Sequence, residues 1–356
     1  MNNSFVSIHV LRAVAAMLVL FAHLWTPFSM MGVKFPNFIE GAAGVDLFFV
    51  ISGFVMVYSS EKFFGQPGGS ARFLGHRLSR IVPLYWVAST IRLIQILKAH
   101  VFSISDLSWP FIVLCYLFYP AARPSGSFSP LLGVGWTLNF EMFFYVIFTI
   151  AVLFRRRMAV LFAVVTLSAL SIGGSLELFP QPLAYLTAYP FLWEFIYGIL
   201  IAFAYRESLR LTPLISVTLT VAGAIFYVWT CTLHASGEIA EFREIFWGIP
   251  AACVITGLTL SQIPAQTKFW MPLVVIGEAS YALYLTHTIT LDMLYFHLAR
   301  KIHVENYPWI YAVFEFTVAI LIAIGIHFYI EKPMTRFLRS KFRYQRKSGE
   351  VAHVEG

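Results

Sequence analysis

The sequence predicts an all-α integral membrane protein, a polytopic bundle of ten transmembrane helices. Three observations predict it. Hydrophobic residues make up 59% of the chain and charged residues only 12%, roughly half the ~25% charged share of a soluble domain. Apolar runs of the length a bilayer crossing needs, about 20 residues, recur from end to end. The basic residues collect in alternate loops, as the positive-inside rule requires.

The predicted spans are 8–27, 43–60, 81–98, 136–154, 158–175, 183–204, 211–231, 245–262, 271–297 and 309–330. The first, "LRAVAAMLVLFAHLW", carries Arg12 and His23 within an apolar run. The second contains "GVDLFFVISGF", with glycines 41, 44 and 53 letting it approach its neighbours closely. The third is entered through "HRLSRIVPLYW". The run "WPFIVLCYLFYP" at 109–120 lies between prolines and is too short to cross, so 99–135 is expected to be an outer loop with a re-entrant or interfacial segment. The fourth span holds "WTLNFEMFFY", and Arg155, Arg156 and Arg157 precede the fifth. The sixth ends before Arg206 and Arg210, and the seventh leads to Glu238, Glu241 and Glu244. The ninth contains "YALYLTH", and a basic tail follows the tenth.

Loop charge fixes the expected orientation. With 109–120 not crossing and a cytoplasmic N-terminus, the 61–80 loop, the triple arginine, Arg206, Arg210 and the basic tail all fall inside. Only Arg300 and Lys301 object. If 109–120 crossed, the triple arginine and the tail would both face outward. Both termini are therefore expected in the cytoplasm, with a membrane domain over 1–335 and a basic cytoplasmic tail over 336–356.

Several classes are excluded. Cys115, Cys231 and Cys253 all lie in apolar segments and form neither a disulfide framework nor metal-type spacing, so no metal is expected. The N-terminus does not read as a cleaved signal peptide. The net charge of +7 sits in short loops and the tail, where it orients the chain and does not point to nucleic acid. No Walker, dinucleotide-binding or metalloprotease motif is present. Any chemistry must lie within the bundle.

Ionisable residues in spanning segments are costly and are functional candidates. They form two layers. Arg12 and His23 are separated by about 16 Å along one helix face. At the inner level, Arg77 and Arg80 share a face at the entrance to the third span, and forked guanidiniums suit phosphate oxygens. Plain positive-inside anchoring is the alternative for them. It explains Arg12, inside its apolar run, less well. At the outer level Asp46, Glu141 and His287 join His23, giving two imidazoles and two carboxylates at similar depth. A carboxylate that orients an imidazole is a recurring way to make a general base. Each alone also suits a polar contact between helices, and Asp46 a helix N-cap.

These stretches together resemble the acyltransferase-3 family of integral membrane O-acyltransferases, most like the short bacterial members that acetylate exopolysaccharide. The resemblance rests on Arg12 and His23 with ten residues between them, "GVDLFFVISGF", Arg77-x-x-Arg80, Trp136-Thr-Leu-x-x-Glu141, and "YALYLTH" ending at His287. It implies transfer of an acyl group, by family default acetyl, from cytoplasmic acetyl-CoA to a hydroxyl of a cell-surface glycan. The acceptor is either a lipid-linked repeat or an external chain. Within it, Arg12, Arg77 and Arg80 would bind the acyl-CoA. His23 would deprotonate the hydroxyl or first accept the acyl group, oriented by Glu141 or Asp46. Tyr281, Tyr284 or His287 would position the sugar or stabilise the oxyanion, with Trp136 also at the substrate. The implied setting is a multi-pass protein of the bacterial inner membrane, alongside polysaccharide assembly machinery. A multi-pass transporter or flippase of a glycan or lipid-linked intermediate is the competing class. The paired broken helices that mark many transporters are not evident.

Overall fold

A computed structural model of the chain describes residues 3–99, 107–123, 126–234, 242–263 and 267–340. Among these residues the fold is helical, and extended pairing amounts to one bridge between Leu211 and Ser261. In chain order the helices are α1 (Asn3–His23), α2 (Trp25–Met30), α3 (Gly44–Ser59), α4 (Gly69–Ala99), α5 (Trp109–Tyr116), α6 (Trp136–Ala151) and α7 (Arg156–Ser175). Then come α8 (Leu183–Ala188), α9 (Phe191–Arg206), α10 (Pro213–His234), α11 (Ile249–Thr259), α12 (Thr267–Glu278), α13 (Ser280–His297) and α14 (Pro308–Ile326).

Among the described residues, 7 helices are long and apolar enough to cross a membrane, or 8 if α12 and α13, bent by 59° where they join, form one span. Two expected spans differ. Residues 183–204 are broken at Pro190, because the residue before a proline is driven to extended backbone, and Tyr189 duly sits at ψ 141. What remains is α9, 16 residues long. Residues 245–262 become a π turn, Glu244–Gly248, leading into α11, again shorter than a full span. The last helix continues to Ser340, across the boundary expected at 335. Glu238, Glu241 and the tail beyond 340 lie outside the described residues.

Contacts fix the relative directions. The Tyr281 hydroxyl donates to the Ile81 carbonyl at 2.7 Å, and further along both helices Arg92 pairs with Asp292, so α4 and α13 run parallel. α6 runs against them: Thr137 at its start meets Tyr284, whereas Tyr145, two turns on, faces Arg77 and Arg80. Consecutive long helices α4 and α6 are thus antiparallel. α5 is 8 residues long, about 12 Å. It starts on a Ser108 cap and lies along α4, where Tyr85 and Trp86 donate to the carbonyls of Cys115 and Tyr116, each at 2.9 Å.

Small residues let the core helices close up. α3 crosses α9 where a Cβ on Gly53 would strike the Phe195 carbonyl and one on Gly198 the Val50 carbonyl. Aromatic rings fill the space around the crossing: Phe195 stacks on Phe144 at 4.1 Å and meets Phe49 at 5.0 Å. The exterior is apolar as well. Leu214, Val217, Val221, Ile225 and Val228 of α10 are all exposed, a surface that suits hydrocarbon and not water. One end of the bundle is basic. There Arg156 bridges Glu61 at 3.0 Å and Glu207 at 2.6 Å, Arg157 joins Glu207 at 2.8 Å, and Arg206 donates to the Tyr58 carbonyl.

Candidate functional site

Two groups of predicted residues come together at different depths, and the same two parallel helices, α1 and α13, carry both. Nearer the basic end, Arg12 donates from Nε and Nη2 to Ser280 Oγ at 3.0 and 2.8 Å. Further along both helices, the His23 and His287 rings meet edge to face with centroids 4.8 Å apart. Positions 12, 19 and 23 share one stripe of α1, and 280, 284 and 287 one stripe of α13, as helical periodicity requires.

The first group lines an internal slot of about 90 Å³. A single water needs roughly 10–15 Å³, so the slot has room for several. Its α3 wall runs from Val45 to Met56, about 16 Å of helix. Arg12, Arg77 and Arg80 gather at the basic end. At the other end lie Val45, Phe48, Phe49 and Leu138, with Thr137 and Tyr284. Arg77 Nη2 donates to Ser59 Oγ, and among the described residues no carboxylate lies within ion-pair distance of any of the three arginines. Glu141 shares the slot but is occupied: its Oε1 accepts from the Tyr145 hydroxyl and from Ser52 Oγ at 3.4 Å. Three guanidiniums therefore line the slot with one carboxylate, Glu141, while buried Glu331 acts on Arg12 from outside its walls. Such an excess attracts an anion, and forked donors favour phosphate or carboxylate oxygens.

The second group is the histidine pair. His23 Nδ1 lies 2.8 Å from the Val19 carbonyl and His287 Nδ1 3.0 Å from the Leu283 carbonyl. A carbonyl only accepts, so each Nδ1 carries its proton and each Nε2 presents a lone pair. His287 is 1% exposed, and its Nε2 has no hydrogen-bond partner among the described residues. His23 is only partly buried. Tyr284 separates the two groups. Its ring faces Phe48 at 5.8 Å on the slot side and His287 at 6.1 Å on the other. Its hydroxyl donates to the Val134 carbonyl at 2.9 Å and lies 2.8 Å from Thr137 Oγ1.

The structure redistributes the expected carboxylates. Neither orients His23; the Val19 carbonyl does. Asp46 is fully buried and is gripped by Arg243, Nε to Oδ1 and Nη2 to Oδ2, each at 2.7 Å. Nor does it cap α3, whose N-cap is Ala43. Glu141 sits one level nearer the basic end, with the arginines. Of the expected substrate residues, Tyr281 and Tyr284 line the slot, whereas Trp136 packs on Phe191 at 5.3 Å, off its walls. Four contributors were not anticipated: Ser280, Tyr145, Phe48 and Arg243. Tyr145 was open to detection, four residues after Glu141 on one helix face. Arg243, alone among the glutamates of its loop, was a weaker signal.

A family model described as an acyltransferase domain matches residues 5–328. The chain is 31% identical over 263 residues to the exopolysaccharide production protein ExoZ of Rhizobium meliloti (strain 1021), covering 72% of this chain and 79% of that protein. No solved structure matches it.

Proposed function

The chain belongs to the acyltransferase-3 family, and from that premise we propose that it moves an acyl group, acetyl by family default, from cytoplasmic acyl-CoA to a hydroxyl of an exopolysaccharide. The observation that carries this reading is the order of the two groups along α1 and α13. An arginine-lined slot ends at Tyr284, and the histidine pair lies on the other side of that ring. The acyl donor is a polyanion with a long thin arm ending in a thioester. Arg77, Arg80 and Arg12 suit its phosphates, and the ~16 Å slot suits the arm. His23 Nε2 takes the proton of the glycan hydroxyl, the hydroxyl oxygen bonds to the acyl carbon, and the carbon–sulfur bond breaks. The departing thiolate then takes up that proton. His287, more deeply buried, holds the His23 ring by its edge-to-face contact.

The same reading places the protein in a bacterial inner membrane with ten crossings. The two short helices α9 and α11 and the bent pair α12–α13 complete the count. The basic end and both termini face the cytoplasm. The acceptor glycan reaches the histidines from the other side, handed over by polysaccharide assembly machinery.

The test is proton NMR of cell-surface polysaccharide, scoring O-acetyl signals in a deletion strain and in the deletion complemented with the chain or with His23→Ala at matched membrane level. Loss, recovery and renewed loss are expected. Equal acetylation in all three would overturn the reading and return weight to a transporter.

A further inference from the structure

Phe48 differs from the aromatic residues around it. Phe49 is 3% exposed and packed against Phe140, Phe191 and Phe195. Phe48 is only partly buried, lines the slot, and meets Tyr284 ring to edge at 5.8 Å. Together with Val45 and Leu138 these two rings form the apolar end of the slot, opposite the arginines. Tyr284 cannot swing aside freely, because its hydroxyl is tied to Val134 and Thr137. The end wall therefore has one fixed ring and one that protrudes into the space.

We infer that Phe48, backed by Tyr284, sets the length of the acyl group that this protein accepts. The inference rests on the acyl-CoA reading above. With phosphates at the arginines, the arm lies along α3 and the acyl group is the last part to enter, so it meets this wall. An acetyl group adds one methyl beyond the thioester carbon. Each further methylene must displace Phe48 or Tyr284, and a pocket discriminates roughly 10-fold or more per methylene. Phe48 is the position to alter, because it packs on the core only in part, whereas Phe49 is buried among three rings.

The experiment uses the full chain in lipid nanodiscs and measures glycan-dependent CoA release from acetyl-, propionyl-, butyryl- and hexanoyl-CoA. Wild type is expected to lose roughly 10-fold or more in kcat/KM per methylene. Phe48→Ala should bring butyryl-CoA level with acetyl-CoA or above it, and Phe48→Leu, a smaller excavation, should shift the cut-off less. An unchanged donor ranking in both folded variants overturns the inference while the donor reading stands, as does a wild type that uses butyryl- and acetyl-CoA equally. A wild type that releases CoA from none of the four overturns the donor reading and this inference with it.

Discussion

Asp46 shows how little a buried charge tolerates the loss of its partner. Both its oxygens are held by the Arg243 fork, and Arg243 also donates to the Ala42 carbonyl at 3.0 Å. Breaking such a pair from one side costs about 3–5 kcal/mol, because the surviving charge is left buried. Asp46→Ala should therefore lower the melting temperature in detergent steeply, and Asp46→Asn combined with Arg243→Gln should recover part of the loss. If Asp46→Ala melted like wild type but transferred no acyl group, Asp46 would act in the chemistry after all. Arg12 poses the complementary test. Its Nε and Nη2 both reach Ser280 Oγ, a geometry that lysine, a point charge, cannot reproduce. Arg12→Lys should weaken CoA binding at least several-fold while leaving the melting temperature near wild type. Sequence singled out Arg12, His23, Arg77, Arg80 and His287, because an ionisable residue in an apolar run stands out by itself. It misassigned the partners of Asp46 and Glu141, because partnership is a long-range property. Arg243 lies 197 residues from Asp46.

At the level of elements, the crossing of α3 and α9 depends on two missing side chains. Gly198→Ala would drive a methyl into the Val50 carbonyl, and overpacking of this kind typically costs about 1–3 kcal/mol. The expected outcome is a lower melting temperature without a change in donor preference. Across the basic end, Glu207 joins the start of α7 to the end of α9. Hydrogen bonds from Arg157 and Arg156 hold its carboxyl below the usual range. A depressed carboxyl stabilises above its ordinary pKa and loses that contribution as pH falls through the folded value. The stability gap between wild type and Glu207→Gln should thus be present at neutral pH and close in acid, and an unvarying gap would mean that the pair contributes nothing electrostatic. Apolar run length made most spans legible. The break at Pro190 was also written in the chain, in the restriction that proline places on Tyr189. The 59° bend between α12 and α13 was not. Just before it, α12 lies so close to α1 that a Cβ on Gly277 would overlap the His9 carbonyl.

For the molecule as a whole, charge separates the two ends. A reporter fused after residue 356 should be active only in the cytoplasm, and one inserted in the 99–135 segment only outside. The opposite result would invert the direction in which the slot opens. Because three guanidiniums carry the proposed donor site and, among the described residues, no carboxylate lies within ion-pair distance of them, acyl-CoA affinity should fall as salt rises.

The slot has its arginines at one end and a tethered tyrosine at the other, and this shape has a kinetic consequence. Spent CoA must back out through the entrance by which the fresh donor arrives, whereas the sugar reaches the histidines from the far side of Tyr284. Free CoA should then inhibit competitively against acyl-CoA at every glycan concentration, and no excess of glycan should relieve that inhibition.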